Sequence, residues 1–389
     1  MEIVKVDKFL FFFNLCLISI HSLFIAFLIR TLYPIHLMGE NLFYADLLAK
    51  PVVIPLWLAF IFSNINVVIL SILSQFIWNK RQGLILPILY IFNPWSTYLT
   101  SLNSFYIYLT SLILTMIFGL ILVKSDYRKI GSIVFVLGGV LLLYSSFVMF
   151  IMTPLIIMGV LILKLFNKND IKNLSFWIIL FSIPLFIAIF KNPVGWANIY
   201  RNEVNIYNGS GHLSDINNFQ GQAQAVGFKF FSKIAENRYI YFVKYTSLKI
   251  IKNLTPSTYF TPQEKLANFS FSPPIFLGFL LPFLYGVYSL FKYSPAIKFF
   301  GVSLILIIPS LLSKQFVDLN RLVIFSFVIF YVISYGLIRL YQNKKLSQRI
   351  IFLLAVVLVI FQFFLTFSDI YLREYPRFER TFGINFEIR

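Results

Sequence analysis

Apolar residues in this chain come in long continuous runs separated by short polar breaks. Runs that predict about eleven membrane spans fall near 9–29, 52–77, 83–101, 104–123, 130–145, 147–165, 175–190, 274–291, 297–313, 321–339 and 350–368. Each reaches or approaches the length a helix needs to cross a bilayer. The runs are continuous rather than alternating, which argues against a transmembrane β-barrel. The fold class expected is all-α, a single polytopic membrane domain over 1–389. The fifth and sixth runs are short and meet at Tyr144-Ser145-Ser146. Pro87, Pro94, Pro154, Pro184, Pro282 and Pro309 fall in or at the ends of runs. Membrane helices accept such prolines where neighbours satisfy the freed carbonyls.

The breaks orient the runs. Lys5 and Lys8 precede the first run, and later breaks on that side hold Lys80-Arg81, Lys124, Arg128, Lys129, Lys164, Lys168, Lys172, Lys292 and Lys298. Arg339, Lys344, Lys345 and Arg349 close the series. The short breaks on the other side carry far fewer cations. Positive-inside sorting therefore predicts a cytoplasmic N-terminus and an extracytoplasmic C-terminus, in the plasma membrane. Three polar segments are expected outside: a first outer loop at 30–50, a large outer loop with interfacial helices at 191–273, and an outer tail at 369–389.

Composition agrees and excludes rivals. Of 389 residues, 59% are hydrophobic and 12% charged, against about a quarter charged in a soluble domain. The net charge of +18 sits mostly in the inner breaks, so it reports orientation and not a nucleic-acid partner. The first run is long enough to span and is followed by no small-residue cleavage site, so it reads as a helix and not a cleaved signal. The single cysteine, Cys16, lies in that run and leaves no intrachain disulfide. His21, His36 and His212 are too scattered for a zinc site. No nucleotide-phosphate motif is present, so ATP-driven chemistry within the chain is not expected.

Candidate chemistry gathers in the outer segments. The first loop holds Glu40 and Asp46 within Gly39-Glu40-Asn41-Leu42-Phe43-Tyr44-Ala45-Asp46. Loop acids of this kind serve as a general base, as metal ligands, or simply as solvated surface charges. Two spaced acids make a poor metal cage. No metal site is assigned, and a divalent cation stays open as a cofactor. The third run ends at Asn93-Pro94-Trp95, which reads locally as a proline-terminated helix with an interfacial aromatic. In the large loop, 228–254 reads as a basic amphipathic helix. Phe228, Phe231, Ile234, Tyr239, Phe242 and Val243 fall on one side, and Lys229, Lys233 and Asn237 on another. Such a helix lies in the membrane interface and attracts anionic head groups. A sharper reading is that its cations hold a lipid-linked phosphate, with Arg238 and Arg201 favoured because guanidinium fits phosphate oxygens. Asn208, Asn253 and Asn268 begin formal glycosylation sequons.

In their order along the chain, several of these segments resemble the C superfamily of membrane glycosyltransferases. The nearest resemblance is to bacterial relatives of protein O-mannosyltransferases and the lipid A aminoarabinose transferase. The pieces are Lys50-Pro51, Asn93-Pro94-Trp95 with Ser101, Glu236-Asn237-Arg238-Tyr239, and Ser270-Phe271-Ser272-Pro273-Pro274-Ile275-Phe276-Leu277. Leu281-Pro282-Phe283-Leu284-Tyr285-Gly286, Asn320-Arg321, Tyr335-Gly336-Leu337 and Tyr371-Leu372-Arg373-Glu374-Tyr375-Pro376 complete the set.

The resemblance implies transfer of a sugar from a polyprenyl-phosphate donor to an envelope lipid, glycan or protein acceptor on the outer face. It implies Asp46 or Glu40 as the base. Arg238 and Arg201, with Lys233 and His212, would hold the donor. The chain departs from the family in its short first loop without an adjacent Asp-Glu pair, and in having no soluble C-terminal domain. The rival reading is a non-catalytic relative, a flippase for lipid-linked sugars or a glycan polymerase.

Overall fold

The computed structural model describes residues 13, 15–23, 56–77, 82–95, 105–124, 127–145, 147–162, 168–194, 216–218, 220–222, 225–227, 238–261, 273–292, 303–313, 317–343 and 345–369. These are almost wholly helical, and no strand occurs among them. The principal helices are α1 (Leu56–Ile77), α2 (Ile85–Phe92), α3 (Phe105–Lys124), α4 (Arg128–Ser145) and α5 (Phe147–Ile162). They continue with α6 (Lys168–Lys191), α7 (Arg238–Leu254), α8 (Leu280–Phe291), α9 (Leu319–Gln342) and α10 (Leu346–Asp369). Four segments are long and apolar enough to cross a membrane: Leu58–Gln75, Arg128–Ser145, Arg321–Gln342 and Leu346–Thr366. Shorter apolar helices cover Ile107–Val123, Val148–Gly159, Leu174–Pro184 and Leu277–Phe291. The chain is an all-α protein of membrane character.

Three boundaries differ from the sequence expectation. The run expected over 83–101 is interrupted after Phe92, because Asn93 turns extended (φ −84°, ψ 129°) ahead of Pro94, and Pro94-Trp95 are helical again. Residues before a proline are pushed out of the α region, which sets that end. The run expected at 274–291 begins extended and turns helical through Leu277–Phe279. Within 297–313, the described part is a 3₁₀ turn, Leu304–Ile307, followed by a single α turn, Ile308–Leu311.

Helix α9 is the hub. It packs against α2, α3, α8 and α10, while α3 and α4 form an antiparallel hairpin beside it. Of its apolar window, 83% of residues are buried, against 6% for the still more apolar window of α10. In a membrane, lipid tails are as apolar as leucine, so close packing of small residues must hold helices together. The α8/α9 crossing shows this. A Cβ on Gly336 would lie 1.9 Å from the Pro282 carbonyl oxygen, and one on Gly286 would lie 2.2 Å from that of Val332. Only glycine permits that approach.

A polar knot ties the N-terminal part together. His21, on the helical stretch 15–23, shares a 2.8 Å hydrogen bond with Ser63 of α1. The Asn64 amide donates to Ser22 at 3.3 Å, and the Asn66 amide donates to the Tyr90 hydroxyl of α2 at 3.0 Å. His21, Ser63, Asn66 and Tyr90 are all buried.

Candidate functional site

The chemistry-bearing residues among those described gather where α9 begins. Asp318 caps α9, its carboxylate accepting from the Arg321 backbone N–H at 3.2 Å. A carboxylate there satisfies an orphan donor and meets the positive end of the helix dipole. The other carboxylate oxygen receives the Ser313 hydroxyl at 2.7 Å and pairs with the Arg321 guanidinium at 3.2 Å. Arg321 also donates to the Pro309 carbonyl at 3.4 Å.

Helix α7 docks onto this knot through its polar side. Lys249 is 1% exposed, and its ammonium donates to the Ser313 carbonyl at 2.5 Å. It also lies over the Tyr245 ring, 5.9 Å from the centroid, a cation–π arrangement. One turn on, the Asn253 amide donates to the Lys249 carbonyl at 2.7 Å and its oxygen accepts the Ser310 hydroxyl at 2.7 Å. Ser310 in turn accepts from the Asp318 N–H at 3.1 Å. Asn253 is fully buried with both amide atoms engaged, so its sequon cannot be a glycosylation site in this fold.

Burial pushes the Lys249 ammonium down to about 8; the nearby Asp318 opposes that shift and Arg321 adds to it. At neutral pH the cluster holds two cations against one carboxylate, a net positive charge under low-dielectric cover. Such a cluster can stabilise a phosphate at its rim.

Aromatic residues wall the cluster. The Trp95 indole N–H donates to the Leu319 carbonyl at 3.1 Å, and its ring sits 5.7 Å from that of Tyr259. The Tyr259 hydroxyl donates to the Asn253 carbonyl, and burial raises its pKa. A short non-helical strap joins them: Trp95 N–H to the Pro274 carbonyl at 3.3 Å, and Ile275 N–H to the Tyr259 carbonyl at 2.8 Å. Asn93 holds the Trp95 N–H through its side-chain oxygen at 2.9 Å. Three segments far apart in sequence, at 93–95, 273–276 and 318–321, thus meet at one point.

Of the residues singled out from sequence, Glu40, Asp46, Arg201, His212 and Lys233 lie outside the described residues. Arg238 opens α7, about three turns before Lys249. Within the expected amphipathic helix, the described part is 238–254. Tyr239 and Val243 are exposed, while Lys249 and Asn253 point inward. The helix turns polar residues toward the bundle and leaves Tyr239, Val243, Ile250 and Ile251 outside, as suits a helix at a lipid interface.

Lys249 and Asp318 escaped the sequence reading. Their signal was present: Phe242, Tyr245, Thr246, Lys249 and Asn253 follow one helical stripe. Among the described residues no group of three or more His, Cys, Asp or Glu could hold a metal. Comparison of the chain with protein families, with characterised proteins and with solved structures returns no match, so the functional argument stands on these residues and their geometry.

Proposed function

We propose that this chain is an eleven-span membrane transferase. It moves a sugar from a polyprenyl-phosphate donor to an envelope acceptor on the outer face of the plasma membrane. The observation that carries the reading is the convergence just described. Asn93-Pro94-Trp95, Pro273-Pro274-Ile275 and Asn320-Arg321 each belong to the resemblance with the C-superfamily glycosyltransferases, and they share one buried, cationic junction. Two further pieces of that resemblance, Pro282–Gly286 and Tyr335-Gly336-Leu337, pack on each other at the α8/α9 crossing.

In this reading the acceptor hydroxyl attacks the anomeric carbon while the bond from that carbon to the phosphate oxygen breaks. The hydroxyl proton passes to Asp46 or Glu40. The bonding electron pair stays on the phosphate, which gains one negative charge as it leaves. Arg321 at the rim meets that charge. Lys249 acts through the field, and Arg238 and Arg201 are the further cations proposed for the donor phosphate. Preorganised cations facing a leaving anion are usually the largest catalytic term.

The test is transfer of labelled sugar from a panel of polyprenyl-phosphate donors to endogenous acceptors in membranes carrying the protein. Arg321→Gln should lose about a hundredfold in rate, the scale for removing one such donor, with the folded protein still monodisperse. Asp46→Asn or Glu40→Gln should abolish transfer. Unchanged transfer in all three variants contradicts the assignment, as does no transfer from any donor.

One observation favours a second reading. His21, Asn64 and Asn66 each carry a buried side-chain atom with no hydrogen-bond partner. Polar groups inside a membrane bundle mark internal paths, as a flippase for lipid-linked sugars needs. Movement of a labelled polyprenyl-phosphate sugar across vesicles, without transfer, would select it.

A further inference from the structure

The C-terminal ends of α8 and α9 enclose a cleft of about 540 Å³, within the size range of small-ligand sites. It lies roughly 30 Å along α9 from Asp318, counting ~1.5 Å of rise per residue. Lys292 and Arg339 line it from the two helices, with Tyr285, Tyr288, Gln342 and Asn343. Among the described residues, none that lines it is acidic. Arg339 is held in position: its Nε and Nη2 donate to the Tyr335 hydroxyl at 3.2 and 3.0 Å, and its guanidinium lies over that ring at 5.2 Å. A helix C-terminus alone accounts for one cation. Two cations from two helix ends, with neutral hydrogen-bonding groups between them and no carboxylate among the described lining residues, make a concave anion site.

The rim identifies what carries the anion. Tyr288 and Tyr341 are 67% and 68% exposed, and Phe291 and Leu346 are also exposed. These rings and the leucine continue onto helices whose outer sides are apolar. A soluble phosphate would gain nothing from such a rim, whereas acyl chains would lie along it.

We infer that this cleft binds the phosphate head group of an anionic phospholipid, with Lys292 and Arg339 as its charged contacts. The site does not depend on the proposed transfer reaction. The test uses the full-length protein purified in neutral detergent. Phosphatidylglycerol, phosphatidylcholine and inorganic phosphate are compared by native mass spectrometry and by thermal shift. The expected result is retention of phosphatidylglycerol over phosphatidylcholine. That preference should fall about fivefold in Lys292→Gln and again in Lys292→Gln/Arg339→Gln, the scale for removing one cation near an anionic head group. Arg339→Lys should keep most of it. Should Arg339→Gln fail to fold, Lys292→Gln, altering an exposed side chain, decides alone. Equal retention of the two lipids, an undiminished preference in the variants, or inorganic phosphate stabilising the protein as well as phosphatidylglycerol does, each overturns the inference.

Discussion

The two ends of α9 answer opposite electrostatic problems. At its start, Asp318, Arg321 and Lys249 are covered by Ser310, Ser313, Asn253, Trp95 and Tyr259, and the hydrogen bonds named above tie them together. At its other end, Arg339 and Lys292 line an open cleft with no carboxylate among its described lining residues. A buried pair depends on its partners, since losing one strands a charge in low dielectric. A cation at the wall of an open cleft is less enclosed, and its loss strands no buried charge. The same helix therefore carries a junction that holds the fold and a cleft that does not, and mutations should separate them.

The largest effect should come from between the two ends. Gly336→Leu forces α8 and α9 apart against backbone atoms that cannot yield, and we expect a loss above ~3 kcal/mol, beyond the usual range for overpacking. Size exclusion in detergent should show aggregate. Leu353→Ala on the bare outer side of α10 should stay within about 0.5 kcal/mol.

Next is Asp318→Ala. It removes the cap of α9 and leaves Arg321 and Lys249 without their carboxylate. About 3 kcal/mol should be lost, read as a lowered melting midpoint.

Lys249→Met should be nearly neutral or mildly stabilising, since an apolar chain of similar length replaces a desolvated cation. Its sharper signature is in pH. The folded-state pKa of Lys249 is about 8, against an ordinary 10.5. Between those values the unfolded chain holds a proton that the folded chain has released, so stability rises with pH across that window. Below about 8 both states are protonated and the full cost of burying the charge remains. The native protein should gain melting temperature from pH 8 to 10, and Lys249→Met should lose that gain. A rise of the same size in the variant would remove Lys249 as its source.

The smallest effect should be Arg339→Gln, within about 0.5 kcal/mol of stability for a residue at an open cleft. A drop comparable to that of Asp318→Ala would make the two ends alike and undo the contrast.

Run length made the helical class legible in the sequence, and the Asn93-Pro94-Trp95 triplet marked where the third run is interrupted. Which helix stands at the centre was not legible. Windows α9 and α10 are alike in apolar content because core and lipid make the same demand. What separates them is sparse: Ser326, Ser334 and Gly336 on α9 face neighbours. On α10, Ala355, fully buried, and Gln362, which accepts the Gly278 N–H at 2.9 Å, lie on the inward line. Lys249 was missed for a related reason. A lysine on an interfacial helix reads as a solvated charge until its partners, Ser313 and Asp318, are brought in from more than sixty residues away. The candidate acids Glu40 and Asp46 rest on sequence alone.

The proposed orientation puts the Asp318 junction at the start of α9 outside the membrane and the Arg339 cleft at its other end inside. The direct measurement is labelling of single-cysteine variants, in a Cys16→Ser background, with a membrane-impermeant maleimide on intact cells. Thr261→Cys, exposed beside the junction, and Tyr341→Cys, exposed beside the cleft, are the two reporters. The account predicts that Thr261→Cys labels in intact cells and Tyr341→Cys only after permeabilisation. Labelling of both from outside, or the reverse order, contradicts it.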